Sequence, residues 1–242
     1  MPVIFTDNFE TDVVWTKQVT TSGEKIAIVI ISGDKAAQFS TDGVEASEMC
    51  YLQENLSQLY SEIFVREYVL YNDIPAAIKT SYPLDIRNRE ASGGAVAAAQ
   101  LIGNRLYLLY DDILHPTGKS IDTGIDIVVG QFYCIEIHAK IGTTDGLVQL
   151  YVNGTKVAEV LNINNLTTVG PVQIIQVGER WFTGKVSHTL LIDEVVVATE
   201  YIGLLPQPPQ PTKIPVWKIG AAVVVAISIC GATAYALSRK GK

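Results

Sequence analysis

The stretch of sequence that most limits the fold is residues 145–160, DGLVQLYVNGTKVAEV. Its residue types alternate up to an Asn-Gly pair at 153–154 and alternate again after it. Side chains along a β-strand point to opposite faces in turn, so Val148, Leu150 and Val152 would share one face. Asn and Gly both tolerate a positive φ, which suits a tight type I′ turn. The segment therefore predicts a β-hairpin.

Similar patterns recur through the first two hundred residues. About eleven short segments rich in β-branched and aromatic residues are separated by Gly, Asn and Asp, which is typical of strands joined by turns. Residues 91–100 contain several alanines, but a Gly-Gly pair argues against a helix there. Residues 45–58 are compatible with a short helical turn. Because strands do not alternate with helices and no repeat is found, we expect an all-β fold, an antiparallel two-sheet β-sandwich of jelly-roll type.

The C-terminal part of the chain has a different composition. Residues 219–237 form a run of 19 residues without a charge, which at about 1.5 Å per residue approaches the roughly 30 Å of a bilayer's hydrocarbon core. The five prolines between residues 204 and 217 favour an extended stalk over a sheet or helix. We therefore predict four parts. These are a β-sandwich domain (1–203), a Pro-rich linker (204–217), one C-terminal transmembrane α-helix (218–238) and a basic tail (239–242).

Charge divides at the same boundary. Residues before 204 contain 13 basic and 25 acidic side chains, a net charge of −12, and the remainder carries +5. An acidic domain repels a phosphate backbone, so we expect no nucleic-acid partner. Three basic residues after the apolar run favour a single-pass membrane protein with its large domain outside the cell. No leader peptide is recognisable at the start, which leaves a tail-anchored protein with a cytosolic domain as the alternative.

Three cysteines are present, and one of them, Cys230, lies in the apolar run. The other two, Cys50 and Cys134, could pair in an oxidising compartment or remain separate. We predict that both are free and buried.

Three segments together resemble a known superfamily. They are FTDNFETDVVW at 5–15, FYCIEIHAKIGTTDGLVQLYVNGTKVAEV at 132–160 and LLIDEVVVATEYIG at 190–203. In this combination they resemble a laminin-G-like domain of the concanavalin A-like lectin/glucanase superfamily, over most of residues 3–203. The resemblance implies a jelly roll. It does not choose a function, because members include carbohydrate-binding modules, adhesion domains, glycoside hydrolases and polysaccharide lyases.

Two enzymatic hypotheses implied by the resemblance can be compared with the residues. Glucanases of this superfamily carry three alternating acidic residues on one strand, whereas the acidic pairs at 111–112 and 193–194 are adjacent and point to opposite faces. Some alginate lyases of this fold use a Gln-Ile-His strand and a strand with two arginines around a Glu. Residues 136–138 (EIH) and 66–68 (REY) are similar to these only in part. The sequence therefore disfavours catalysis. A lyase is the more plausible of the two enzymatic alternatives.

The resemblance also implies one structural Ca²⁺ ion near the two ends of the domain. Its ligands would come from Glu10, Gly33 and Asp193, since hard oxygen atoms suit this ion. The alternative is that Asp193 only hydrogen-bonds the backbone of the first strand. The three histidines are scattered and no Cys-x-x-Cys occurs, so we expect no zinc site.

Sugar recognition uses flat aromatic rings surrounded by planar polar groups. Residues of these types on the predicted strands and turns form the candidate ligand-binding set: Arg66, Tyr68, Tyr107, Glu136, His138, Gln149, Tyr151 and Trp181. We predict a membrane-anchored surface module that binds a glycan or protein ligand without enzymatic activity. The alternatives are a lyase-like enzyme and a structural coat protein of a cell or virion surface, in which copies of the chain would form homo-oligomers.

Overall fold

The computed structural model describes residues 2–11, 14–31, 33–74, 80–89, 94–183, 185 and 187–204. Regular structure in these residues consists of strands, and no helix occurs among them. The strands are β1 (Val3–Asp7), β2 (Lys17–Thr20), β3 (Lys25–Ile31), β4 (Asp34–Asp42), β5 (Ser47–Tyr60), β6 (Glu62–Tyr71), β7 (Ser81–Arg87), β8 (Ala95–Ile102), β9 (Arg105–Asp112), β10 (His115–Asp126), β11 (Phe132–Lys140), β12 (Gly146–Val152), β13 (Thr155–Ile163), β14 (Val172–Thr183) and β15 (Ser187–Ala198). The all-β prediction is confirmed for this part of the chain.

The strands form two antiparallel sheets. Sheet A has the order β13-β12-β11-β6-β15-β4-β3, and β1 pairs with the second half of β15. Sheet B has the order β10-β9-β8-β7-β14-β5-β2. The chain crosses from sheet A to sheet B between β4 and β5 and returns between β5 and β6. Crossings of this kind let the two sheets bury their apolar faces against each other, which confirms the predicted sandwich.

Strands β12 and β13 form the predicted hairpin. Asn153 and Gly154 have φ values of 49° and 76°, and a type I′ turn requires positive φ at both central positions. Val148, Leu150 and Val152 are buried in the main core, as their alternation predicts. A shift of the register by one residue would turn all three to the solvent, so the alternation fixes the pairing.

Strand β6 lies in the middle of sheet A and is buried on both faces. Ile63, Val65 and Val69 belong to the core between the sheets. Tyr68 and Leu70 point the other way and join a second buried cluster on the outer face of sheet A, with residues of β3, β4, β11 and β15. The candidate ligand-binding residues of β6 therefore lie on a face that is itself packed.

Residues 45–58, whose sequence is compatible with a short helical turn, lie mostly in a strand instead. Most of this segment belongs to β5, which pairs with β14 on one side and β2 on the other. Hydrogen bonding to two neighbouring strands outweighs the helix propensity of its Glu, Met, Gln and Leu residues. Strands β7 and β10 were not expected, because Pro83, Gly118 and Gly124 interrupt their patterns.

A charged histidine is enclosed in the sandwich. The His188 ring stacks between Tyr71 and Phe182, with centroid distances of 5.5 and 5.2 Å. Its Nδ1 lies 3.1 Å from Asp73 Oδ1 and its Nε2 lies 3.2 Å from Glu179 Oε1. Burial alone would lower the pKa of His188, but the two carboxylates raise it to about 9. The ring therefore carries its charge at neutral pH.

The predicted membrane helix and basic tail lie outside the described residues, as does the linker apart from Leu204. Among the residues that the structure does describe, no helix has the length and apolar character needed to cross a bilayer. Cys50 and Cys134 are both free and buried, which confirms that prediction.

Candidate functional site

Six of the eight predicted ligand-binding residues converge on the outer face of sheet A. The register places Glu136 of β11 opposite Arg66 of β6 on one side and Tyr151 of β12 on the other. The next pairs along β11 bring in the remaining members. The set comprises Arg66, Tyr68, Glu136, His138, Gln149 and Tyr151. The pairing of distant strands thus produces a convergence that the sequence left open.

Residues 201–204, here called the C-terminal strap, lie across this face. The Glu136 carboxylate accepts the backbone N–H of Ile202 at 2.9 Å and that of Gly203 at 3.0 Å. Arg66 Nη1 donates to the carbonyl oxygen of Gly203 at 2.9 Å. The backbone of the strap therefore takes up hydrogen bonds that Arg66 and Glu136 could otherwise make to a ligand.

Burial matches this arrangement. Arg66 and Tyr68 are fully buried, and Glu136 is 2% exposed. Burial raises the pKa of Glu136, while the two backbone donors and Arg66 act in the opposite direction. Because Nη1 of Arg66 and both carboxylate oxygens of Glu136 bond the strap, these residues form a packing site rather than an open cleft.

The polar edge of the same face is internally bonded. His138 Nε2 lies 2.9 Å from Glu62 Oε1, and its Nδ1 lies 2.9 Å from Gln149 Oε1. The His138 ring stacks on Phe64 with a centroid distance of 3.9 Å. The Tyr151 hydroxyl donates to Gln149 Oε1 at 2.9 Å. These groups satisfy one another without a ligand.

An open cavity lies on the opposite side of the molecule, on the outer face of sheet B. Its volume is about 580 Å³, which is within the range of small-molecule sites. Strands β7, β8, β9 and β14 and the start of β10 contribute its lining: Tyr82, Asp85, Arg87, Ala95, Leu109, Asp111, Pro116, Thr117, Arg180 and Trp181. Trp181 is 44% exposed, so its ring is available to a ligand.

The cavity combines two carboxylates with two guanidinium groups. Arg87 Nη1 lies 2.7 Å from Asp85 Oδ2. Burial and the charge of Asp85 raise the pKa of Asp111 to about 6, although Arg87 opposes this. Burial also raises the pKa of Asp85, against the effect of its ion pair with Arg87. Asp111 therefore changes its charge near neutral pH.

Side-chain amides hold the other polar groups of the cavity in place. Arg180 Nε donates to Gln176 Oε1 at 2.8 Å, and its guanidinium lies 5.3 Å from the centre of the Tyr51 ring. Gln100 Nε2 donates to the Tyr82 hydroxyl oxygen at 2.9 Å. Fixed planar donors beside aromatic rings are the groups that orient a sugar.

Of the predicted set, Trp181 lines this cavity, and Tyr107 is half-buried elsewhere on β9. Sequence reasoning missed Asp85 and Arg87 because β7 was not recognised as a strand. A signal was present, since Leu84 and Ile86 alternate with them and point into the core.

The residues predicted to hold calcium lie shortly after β1, at the β3–β4 turn and in the middle of β15. Burial and nearby carboxylates, including Glu194 and Glu10, raise the pKa of Asp193 to about 7. Asp193 Oδ1 accepts the Glu194 N–H at 2.7 Å, and Glu10 Oε1 accepts the Lys35 N–H at 2.7 Å. Gly33 has a φ of 106° at the β3–β4 turn. The metal at this place stays a prediction.

No family model matches the chain, and no curated protein matches it by sequence. Among solved structures, an endo-β-1,4-glucuronan lyase from the fungus Trichoderma reesei is similar with a TM-score of 0.66 and 15% identity, over 82% of this chain and 96% of that one. The cellulose-induced protein Cip1 is similar with a TM-score of 0.59 and 14% identity, over 83% of this chain and 100% of that one. The binding domain of botulinum neurotoxin serotype D/C is similar with a TM-score of 0.59 and 10% identity, over 83% of this chain and 49% of that one.

At such low identities these similarities establish the fold and leave the activity open. The chain spans about half the length of the toxin domain and nearly all of the glucuronan lyase and of Cip1. The described domain is a jelly-roll β-sandwich, consistent with a concanavalin A-like fold.

Proposed function

We propose that this protein recognises a glycan through the cavity on the outer face of sheet B. The observation that carries the proposal is the exposed Trp181 ring beside an open cavity of about 580 Å³ with fixed polar groups. An indole stacks on the face of a pyranose ring, and guanidinium, amide and carboxylate groups bond its hydroxyls.

The charges of the cavity favour a neutral sugar or one with a single carboxylate. Two guanidinium groups face two carboxylates, so the cavity is close to neutral when Asp111 is ionised. Arg180 is held by an amide and an aromatic ring, so its charge can meet a sugar carboxylate. In the same proposal, residues 218–238 anchor the protein in a membrane and the sandwich is displayed on the outside of the cell.

Replacing Trp181 with alanine is expected to weaken glycan binding at least about tenfold, because exposed aromatic residues at the centre of a site carry much of the affinity. A glycan array covering neutral and uronate sugars, probed with the full chain in calcium and in EDTA, selects the ligand. Titration calorimetry then compares the variants. Tyr201→Ala is the matched control, since Tyr201 is 46% exposed on the opposite sheet.

Equal losses in the two variants would contradict the location of the site. An array without any bound glycan would contradict the function and favour the structural role.

A second candidate function is acid–base catalysis on a polysaccharide, favoured by the raised pKa of Asp111 beside Asp85. If Asp111 acts as the base, activity rises as the pH passes upward through about 6, because the carboxylate is ionised above its pKa. The assay follows new chain ends and the ultraviolet absorbance of unsaturated products. Loss of a measured activity in Asp111→Asn, with binding retained, would support catalysis. A wild-type chain that binds glycans without cleaving them would exclude it.

A further inference from the structure

Three acidic side chains meet where sheet A joins sheet B. Glu24 directly precedes β3, Asp42 ends β4, and Glu48 is the second residue of β5. One carboxylate oxygen from each lies within 4.8 Å of the other two. The cluster is separate from Glu10 and Asp193, where the resemblance implied calcium.

Two of the three carboxylates are buried, those of Glu24 and Glu48, whereas Asp42 is exposed. Glu24 is 7% exposed and Glu48 is fully buried. Among the residues that the structure describes, neither carboxylate oxygen of Glu24 nor the Oε2 atom of Glu48 has a hydrogen-bond partner, and all three atoms are buried. Leaving such atoms unpaired is destabilising, and more so when they are charged.

The other oxygens are held by the turn between β4 and β5. Asp42 Oδ1 accepts the Val44 N–H at 2.9 Å, and Glu48 Oε1 accepts the Glu45 N–H at 3.2 Å. Asp42 Oδ2 lies only 1.8 Å from the point that a β-carbon at Gly23 would occupy, so glycine makes room for this carboxylate. The backbone of the turn therefore holds Asp42 Oδ1 and Glu48 Oε1 in place. Carboxylate oxygens of the three residues remain close together, within 4.8 Å of one another.

We propose that Glu24, Asp42 and Glu48 bind one Ca²⁺ ion. A divalent cation would satisfy the unpaired oxygens and offset the repulsion that, together with burial, raises the pKa of Glu48. The donors are all hard oxygens, and Ca²⁺ accepts irregular arrangements of carboxylates, whereas Mg²⁺ requires near-octahedral geometry. The ion would join strand ends of both sheets. It would also steady β14, because Glu48 pairs with Phe182, the neighbour of Trp181.

Calcium titration of the chelator-treated full chain tests this site. Glu24→Gln is expected to reduce the number of bound Ca²⁺ ions by one, or to lower the affinity for that ion at least about tenfold, since a charged ligand is lost. Asp193→Asn is the control, because it alters only the calcium position implied by the resemblance.

Thermal unfolding provides a second readout, in which the difference in unfolding temperature between Glu24→Gln and the wild type changes sign when calcium is added. In EDTA, Glu24→Gln is expected to unfold at a higher temperature than the wild type, because it removes a repelling charge. In calcium the order reverses, and magnesium produces a smaller shift than calcium. Equal calcium binding by wild type and Glu24→Gln, or an unchanged order of unfolding temperatures in calcium, would overturn the site. Neither readout depends on glycan binding.

Discussion

Replacing Glu136 with alanine is expected to destabilise the folded chain by about 3–5 kcal/mol, because removing one partner leaves a buried charge uncompensated. Glu136 lies opposite Arg66 and accepts two backbone N–H groups of the C-terminal strap. Within the described part of the chain, Nε and Nη2 of Arg66 are buried without a hydrogen-bond partner. Without Glu136, Arg66 Nη1 would still donate to the carbonyl oxygen of Gly203 on the strap. Chemical unfolding at neutral pH measures the loss.

Two further variants separate charge from packing. Arg66→Met combined with Glu136→Leu is expected to recover much of the stability, since apolar residues of similar volume often replace buried opposite charges at little cost. Glu62→Ala should cost less than about 1 kcal/mol, because its carboxylate is half-exposed beside His138. If Glu136→Ala and Glu62→Ala lost the same stability, the strap would not be held as described.

Replacing His188 with glutamine is expected to cost about 3 kcal/mol at pH 6 and little above pH 9, since one pKa unit corresponds to about 1.4 kcal/mol. The pKa of His188 rises from 6.5 to about 9 in the folded chain, so the folded state binds the proton more tightly. Its contribution is complete below pH 6.5 and is lost as the pH rises through about 9. Unfolding free energies of both proteins across this range measure the effect.

The difference between wild type and variant isolates His188 from its surroundings. Glu67 contributes a pH dependence of the same sign, because burial raises its pKa well above the usual value. His115→Gln is the control, since His115 is partly exposed and its ring pairs with nearby Asp112. A difference that stays constant from pH 6 to pH 10 would show that folding does not raise the pKa of His188.

The sequence predicted those parts of the fold that depend on local patterns. Alternation around Asn153-Gly154 was enough to place the hairpin, because both the turn and the buried face are set within sixteen residues. Strand β7 was missed because Pro83 breaks its pattern, although its pairing with β14 and β8 keeps it in the sheet. Pairing between distant strands is not visible in a local pattern.

The candidate site shows the same division. Alternation correctly placed Arg66 with Tyr68, and Glu136 with His138, on shared faces. It could not show that the strap covers this face, since residues 201–204 reach it only after the last strand is in place. The raised pKa of Asp111 also depends on distant residues, because Asp85 comes from another strand. Whether a polar face is open or covered is decided by tertiary packing.

Indole N–H signals in nuclear magnetic resonance test most directly whether ligands enter the cavity beside Trp181. The chain has three tryptophans, and Trp15 serves as an internal reference because its Nε1 donates to Asp7 in a buried position. On titration with a glycan selected by the array, we expect the Trp181 signal to shift with saturation and the Trp15 signal to remain in place. A saturable shift at residues of the C-terminal strap, with the Trp181 signal unchanged, would contradict the account.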